Sequence, residues 1–156
     1  MLILVLRPRL VDPGLEVMAA LKELVHSPRS FMEAYYYEAS RDDQLLAAFA
    51  EGPLYAWREQ GRLVADVGSV VAWLSQKGLD GDLPDWSDGS RIRVAQGLLA
   101  ALRDFGILTG TVRKEFAHPS LSIAGFGYVA YPLPDAGASS RSRLSSPVST
   151  LWLCDD

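Results

Sequence analysis

With 156 residues, 49% of them hydrophobic and 22% charged, the chain can bury one core and is too apolar to be mainly disordered. A single cysteine, Cys154, excludes an internal disulfide and a cysteine-based zinc cluster. The net charge of −4 excludes an overwhelmingly basic surface, but it is unevenly spread: residues 1–87 hold 8 Lys+Arg against 13 Asp+Glu, residues 88–156 hold 7 against 6.

The apolar run at residues 1–6 precedes Arg7, the wrong order for a secretory leader, and reads as a buried strand or helix start. No window approaches the roughly 20 apolar residues that span a bilayer, so a cytoplasmic protein without a membrane partner is expected. Asp12-Pro13 is a helix-start signal, followed by Leu15, Met18, Leu21, Leu24 and Val25 at helical spacing. Ser27-Pro28 repeats it for a second helix, whose Tyr35, Tyr36 and Tyr37 put rings on several faces and predict a position between other elements. A third helix is expected from residue 42 to about residue 60, bent or broken at Gly52-Pro53 and closed by Gly61.

Asp66 should cap a fourth helix through Leu74, bearing Val67, Val70 and Val71, before a polar loop over 78–86. Ser87 or Ser90 caps a fifth, with Ile92, Ala95, Leu98, Leu99, Leu102 and Phe105 on one side and Gly106 as its terminator. Residues 107–108 and 111–116 read as extended, with a turn at Thr109-Gly110. Ser122 opens a sixth helix through Tyr131, stopped by Pro132 and Pro134, ahead of a Gly/Ser-rich tail. The expected fold class is mainly α: a compact helical domain with a winged helix-turn-helix-like segment and at most a small β-hairpin. Its parts are residues 1–65, 66–119 and 120–156, sharing one globule.

The order over 66–116 is short helix, loop, amphipathic helix, turn and basic strand. In a winged helix-turn-helix the second helix enters the major groove and its early residues face base edges. Those positions here are Ser90, Arg91, Arg93 and Gln96. Arginine can bond guanine O6 and N7 together, and glutamine can pair with adenine. Arg113 and Lys114 would sit on the hairpin and meet phosphates as charges. The bland alternative is a solvated basic face, and modules of this kind also serve protein contacts alone.

Other chemistry is poorly supported. His26 and His118 have no partner at metal-ligand spacing, so no metal is expected. Asp42-Asp43 reads as helix-start charge, and Tyr35 to Tyr37, Trp57, Trp73 and Trp86 read as core before base-stacking platforms. The serines of 139–149 have no paired base and no Gly-x-Ser-x-Gly, and Gly125-Phe126-Gly127 lacks the context of a dinucleotide loop. No catalytic residues and no cofactor are expected.

Three stretches resemble the BrxA family of bacteriophage exclusion (BREX) defence systems. They are Tyr36-Tyr37-Glu38-Ala39-Ser40-Arg41-Asp42-Asp43-Gln44-Leu45-Leu46; Trp86-Ser87 to Arg91 with Val94-Ala95-Gln96-Gly97-Leu98-Leu99-Ala100-Ala101-Leu102-Arg103-Asp104-Phe105-Gly106-Ile107-Leu108; and Lys114, Pro119, Leu121 with Phe126-Gly127-Tyr128-Val129-Ala130. The resemblance implies an all-helical protein with helix-turn-helix elements and affinity for double-stranded DNA. It would be a non-enzymatic accessory to a methylation and restriction apparatus, in contact with other BREX subunits. An older label of the family as an inner-membrane protein finds no support in this sequence. Family members run further at both ends, and residues 133–149 are richer in serine and arginine than the family pattern. The alternative function is a protein-interaction module of the same complex without DNA contact.

Overall fold

The computed structural model describes residues 15–117, 120–130 and Trp152. The Asp12-Pro13 signal, His118, Pro119, Pro132, Pro134, Cys154 and the Gly/Ser-rich tail lie outside these residues.

Helix α1 (Leu15–Leu24) leads through Ser27 into α2 (Pro28–Asp42). Proline suits the first helical position because its missing N–H would have no intrahelical acceptor there. Asp42 and Asp43 then separate. The first ends α2, and the second, in extended conformation, opens α3 (Gln44–Phe49) by accepting the N–H groups of Leu45 and Leu46 at 3.0 and 3.1 Å. The cap is therefore Asp43, one residue later than the predicted start.

Gly52-Pro53 widens the helix without breaking it. Ala50–Leu54 forms a π turn that runs directly into α4 (Tyr55–Glu59). A wider turn gives the proline ring room and removes the acceptor that its absent N–H would have needed. Phe49, Ala50 and Leu54 are all fully buried, so the bulge keeps one continuous apolar face on the core.

Strand β1 (Val64–Ala65) precedes α5 (Val67–Leu79), whose N-cap Asp66 accepts the Ser69 N–H at 2.9 Å. This helix runs five residues past its predicted end. Gly78 stays helical, and the left-handed residue that closes it is Gly81 at φ 83°. Helix α6 (Asp88–Asp104) is capped by Ser87, which decides between the two serines. Its last turn ends at Gly106, φ 79°, where Ile107 N–H donates to Leu102 and Gly106 N–H to Arg103, both at 2.9 Å. That reversal drives Ile107 and Leu108 into the core.

Strands β2 (Leu108–Thr109) and β3 (Lys114–Phe116) pair antiparallel, Leu108 opposite Phe116 and Thr109 opposite Glu115. β1 pairs with the other edge of β3, Val64 opposite Glu115, which gives a three-stranded sheet in the order β1-β3-β2. The mainly α expectation holds, with a third strand added to the predicted hairpin. The turn also moves: Thr109 is in the ladder, and residues 110–113 make the reversal. Helix α7 (Ile123–Ala130) follows, with Ser122 Oγ accepting the Gly125 N–H at 3.0 Å.

The core joins α2 through α7. Tyr36 is its largest fully buried side chain, with ring centroids 5.0 Å from Phe105 and 5.3 Å from Trp152. Burial pushes its phenol well above the ordinary range, so it stays neutral. Trp57, Trp73 and Trp86 pack half-buried against the same cluster.

A polar clamp ties α2 to α7. The Glu33 carboxylate accepts the Ser122 N–H at 3.1 Å and the Ser122 hydroxyl, and pairs with Arg29 at 3.0 Å. Arg29 donates in turn to the carbonyl and hydroxyl of Ser120, and Tyr128 Oη donates to Glu38 at 3.0 Å. No helix among the described residues is long and apolar enough to cross a membrane.

Candidate nucleic-acid interface

The hairpin and α6 flank an open groove of about 520 Å³, lined among others by Gln96, Ala100, Val112, Arg113 and Lys114. Three of the six sequence-predicted residues, Gln96, Arg113 and Lys114, thus meet at one place although 17 residues separate the first two. Helical spacing explains the α6 side. Arg93, Gln96 and Ala100 lie three and four residues apart and share a stripe, while Ala95, Leu98, Leu99 and Leu102 face the core. Arg93 and Gln96 are both exposed, and Arg93 has no ion pair or hydrogen bond among the described residues.

Arg91 is arranged differently. Its guanidinium bonds Asp88 at 2.9 Å and Asp85 at 3.1 Å, leaving the side chain 20% exposed. Asp88 is one helical turn away and Asp85 comes from the loop before the cap, so local spacing alone brings both acids to it. Arg91, expected to face base edges, is instead held by these two carboxylates. Ser90 is half-buried in the cap itself: its N–H donates to Ser87 Oγ at 3.3 Å and the two hydroxyls lie 3.0 Å apart.

On the hairpin, Lys114 donates to the carbonyls of Gly110, at 3.0 Å, and Thr111. It braces the turn, where a purely phosphate-facing charge was expected. Gly110 has φ 87°, and a Cβ there would lie 2.1 Å from the Arg113 carbonyl, so only glycine permits this reversal. Arg113 projects outward, 68% exposed, with Glu115 3.5 Å away.

Asp66 also lines the groove, and its carboxylate is engaged by its own neighbours. It accepts from the Ser69 N–H and, at 2.8 Å, from the Ser69 hydroxyl, and pairs with Arg62 at 3.0 Å. The Ser69 backbone N–H, then its hydroxyl and the guanidinium, hold this carboxyl below its usual range. Arg62 also lies over the Trp57 ring at 4.5 Å. Asp85 as the partner of Arg91 and Val112 as the apex of the turn emerge only in the folded structure. An acid three residues before an arginine is a usable signal, whereas the loop acid becomes visible only once the loop is folded.

His26 is exposed at the end of α1, and Gly125-Phe126-Gly127 lies inside α7. Among the described residues no three His, Cys, Asp or Glu side chains are grouped as metal ligands would be.

The class is thus a mainly α protein in which a helix, a strand, two helices and a two-stranded hairpin follow one another, with an exposed polar helix stripe beside the hairpin tip. A family model described as BrxA matches residues 17–130, and the chain belongs to the BrxA family. That membership suggests a component of a BREX phage-defence system, an accessory family not known for enzymatic activity. No curated protein and no solved structure matches the chain.

Proposed function

We propose that this chain is a non-enzymatic, double-stranded DNA-binding accessory protein of a BREX-type defence system, acting in the cytoplasm where the duplex is. The observation that carries the reading is the shared face of α6 and the hairpin. Arg93 and Gln96, exposed on one helical stripe, stand beside the groove that Arg113 and Lys114 line. Helix α6 would enter the major groove with this stripe toward the bases, where Arg93 and Gln96 have the donors to read guanine and adenine. Ser90, in the first turn, would lie toward the flanking phosphates. Arg113 adds charge from the hairpin, and Lys114 acts mainly by holding the turn. The order of elements supports the same reading, because a strand ahead of the two helices pairs with the hairpin and rigidly couples it to them.

Gel-shift titration over a salt series tests it. Binding should weaken steeply with salt, since each neutralised phosphate releases counterion. Arg93→Ala with Gln96→Ala should lower affinity about tenfold or more without changing the fold, as side chains that reach base edges contribute on the order of 1–3 kcal/mol each. No complex with any duplex at low salt would defeat the proposal.

Ile123 and Phe126 lie three residues apart on α7, both exposed. They fit a protein-interaction module docking another defence subunit through α7, with the α6 stripe merely solvated. Loss of partner capture on Ile123→Ser with Phe126→Ser, in a protein without DNA affinity, favours that reading.

A further inference from the structure

We propose, on the footing of the DNA-binding reading above, that the hairpin tip is a minor-groove probe in which Val112 and Arg113 select A·T over G·C pairs while Lys114 only positions them. Val112, at the middle of the reversal, is 99% exposed, an apolar side chain on the rim of the groove and open to solvent. An isolated exposed valine is ordinary on a mobile surface, but this turn is braced from both sides. Lys114 Nζ donates to the Gly110 and Thr111 carbonyls, and the Gly110 backbone packs so closely on the Arg113 carbonyl that no Cβ fits. Below the turn, β3 is paired on both edges. The braced tip presents one apolar side chain and one exposed guanidinium, the latter 3.5 Å from the exposed Glu115 carboxylate, beside the α6 stripe at the shared groove.

The two side chains fit one target chemistry. A narrow minor groove concentrates negative potential and draws in an arginine, and A·T runs have the narrowest grooves. The minor-groove floor of A·T pairs carries only acceptors, whereas G·C adds the guanine 2-amino donor. Valine methyls pressed onto that floor leave an amino donor without water and without a partner, which is unfavourable. Arg113 would bond the exposed A·T acceptors. Lys114, with its donors turned inward to carbonyls, is a positioning residue, so its loss should loosen the tip and erase selectivity more than it lowers charge-driven binding.

The test uses short duplexes of equal length whose central pairs are A·T, G·C or inosine·cytosine, bound by the full chain in a fluorescence titration. Inosine lacks the 2-amino group but keeps the major-groove edge of guanine, so the exchange changes the minor groove alone. Replacing G·C by inosine·cytosine should raise affinity about tenfold, the size expected when one donor is relieved of desolvation. Val112→Ser should shrink that ratio toward one with little change on G·C, and Lys114→Met should shrink it likewise while weakening binding to every duplex only slightly. A netropsin-type minor-groove ligand should displace the tip and abolish the difference. Equal affinity for G·C and inosine·cytosine in a protein that binds duplex DNA overturns this proposal alone. Failure to bind all three duplexes overturns the DNA-binding reading, and this one with it. The variants alter exposed or half-buried side chains, and circular dichroism checks that each folds.

Discussion

The α2–α7 clamp and the α6–hairpin face use polar side chains in opposite ways. In the clamp, Glu33 is 8% exposed and bonds groups 89 positions away in sequence. On the face, Arg91 reaches Asp88 and Asp85, three and six residues off, and both acids are open to water. A buried carboxylate must be satisfied or it destabilises the fold, so the clamp is bound to the tertiary structure. An exposed pair contributes little to stability and exchanges partners easily, so the face remains available to a competing polyanion. The protein can therefore change charges on the α6–hairpin face without unfolding, but not in the clamp.

The largest losses of stability are expected at the clamp. Glu33→Ala should cost about 3 kcal/mol of stability, because the Ser122 donors and Arg29 lose a buried acceptor. Gly125→Ala, whose Cβ would fall 2.1 Å from Glu33 Oε2, should cost on the order of 2 kcal/mol by displacing the same carboxylate. Urea denaturation measures both. If either variant is as stable as the parent, the clamp is not a stabilising element. DNA affinity of the folded fraction should be unchanged in both.

At the face the signs reverse. Asp85→Asn with Asp88→Asn frees Arg91 and removes two acids from the start of α6. Stability should hardly move, while affinity for duplex DNA rises several-fold and the salt dependence steepens by about one unit for the cation released. Unchanged affinity and salt slope would mean that Arg91 is not near the phosphates. This pair of variants separates the two regions most directly, since it alters binding without folding where Glu33→Ala alters folding without binding.

The smallest expected effect is at Asp66, which lines the groove. Its folded carboxyl is held below the usual 3.8, so it contributes stability that is complete above that value and is lost as pH falls through the lower, folded value. Asp66→Asn should flatten this acid limb of the stability curve, and Asp66→Ala should in addition cost about 1 kcal/mol at neutral pH through the lost cap. Thermal melts in steps from pH 6 downward check it. An identical acid limb in parent and Asp66→Asn would remove Asp66 from the account.

Much of the helical framework was legible in the residues themselves. Ser27-Pro28, Asp66, Ser87 and Gly106 are local signals, each acting within one turn of the chain, and each marks a helix end where expected. The grouping of Gln96 with Arg113 and Lys114 also followed from order and period. The errors came where a neighbour decides. Asp42 and Asp43 look alike until one is seen to meet the Leu45 and Leu46 N–H groups. Gly52-Pro53 reads as a break unless the buried Phe49 and Leu54 hold the helix together around it. β1 has two residues and becomes a strand only because β3 lies beside it.

What the linear chain determined alone is therefore the set of helices, their caps and the side of each that is apolar, because hydrogen bonds and periodicity within a helix span only a few residues. What tertiary structure decided is which charges are free. Arg91, Arg93 and Lys114 are equivalent cations in sequence, yet one is bridged by two carboxylates, one is open and one braces a turn. Coulomb energy depends on distance through folded space, and those distances exist only once loops 80–87 and 110–113 have taken their shape.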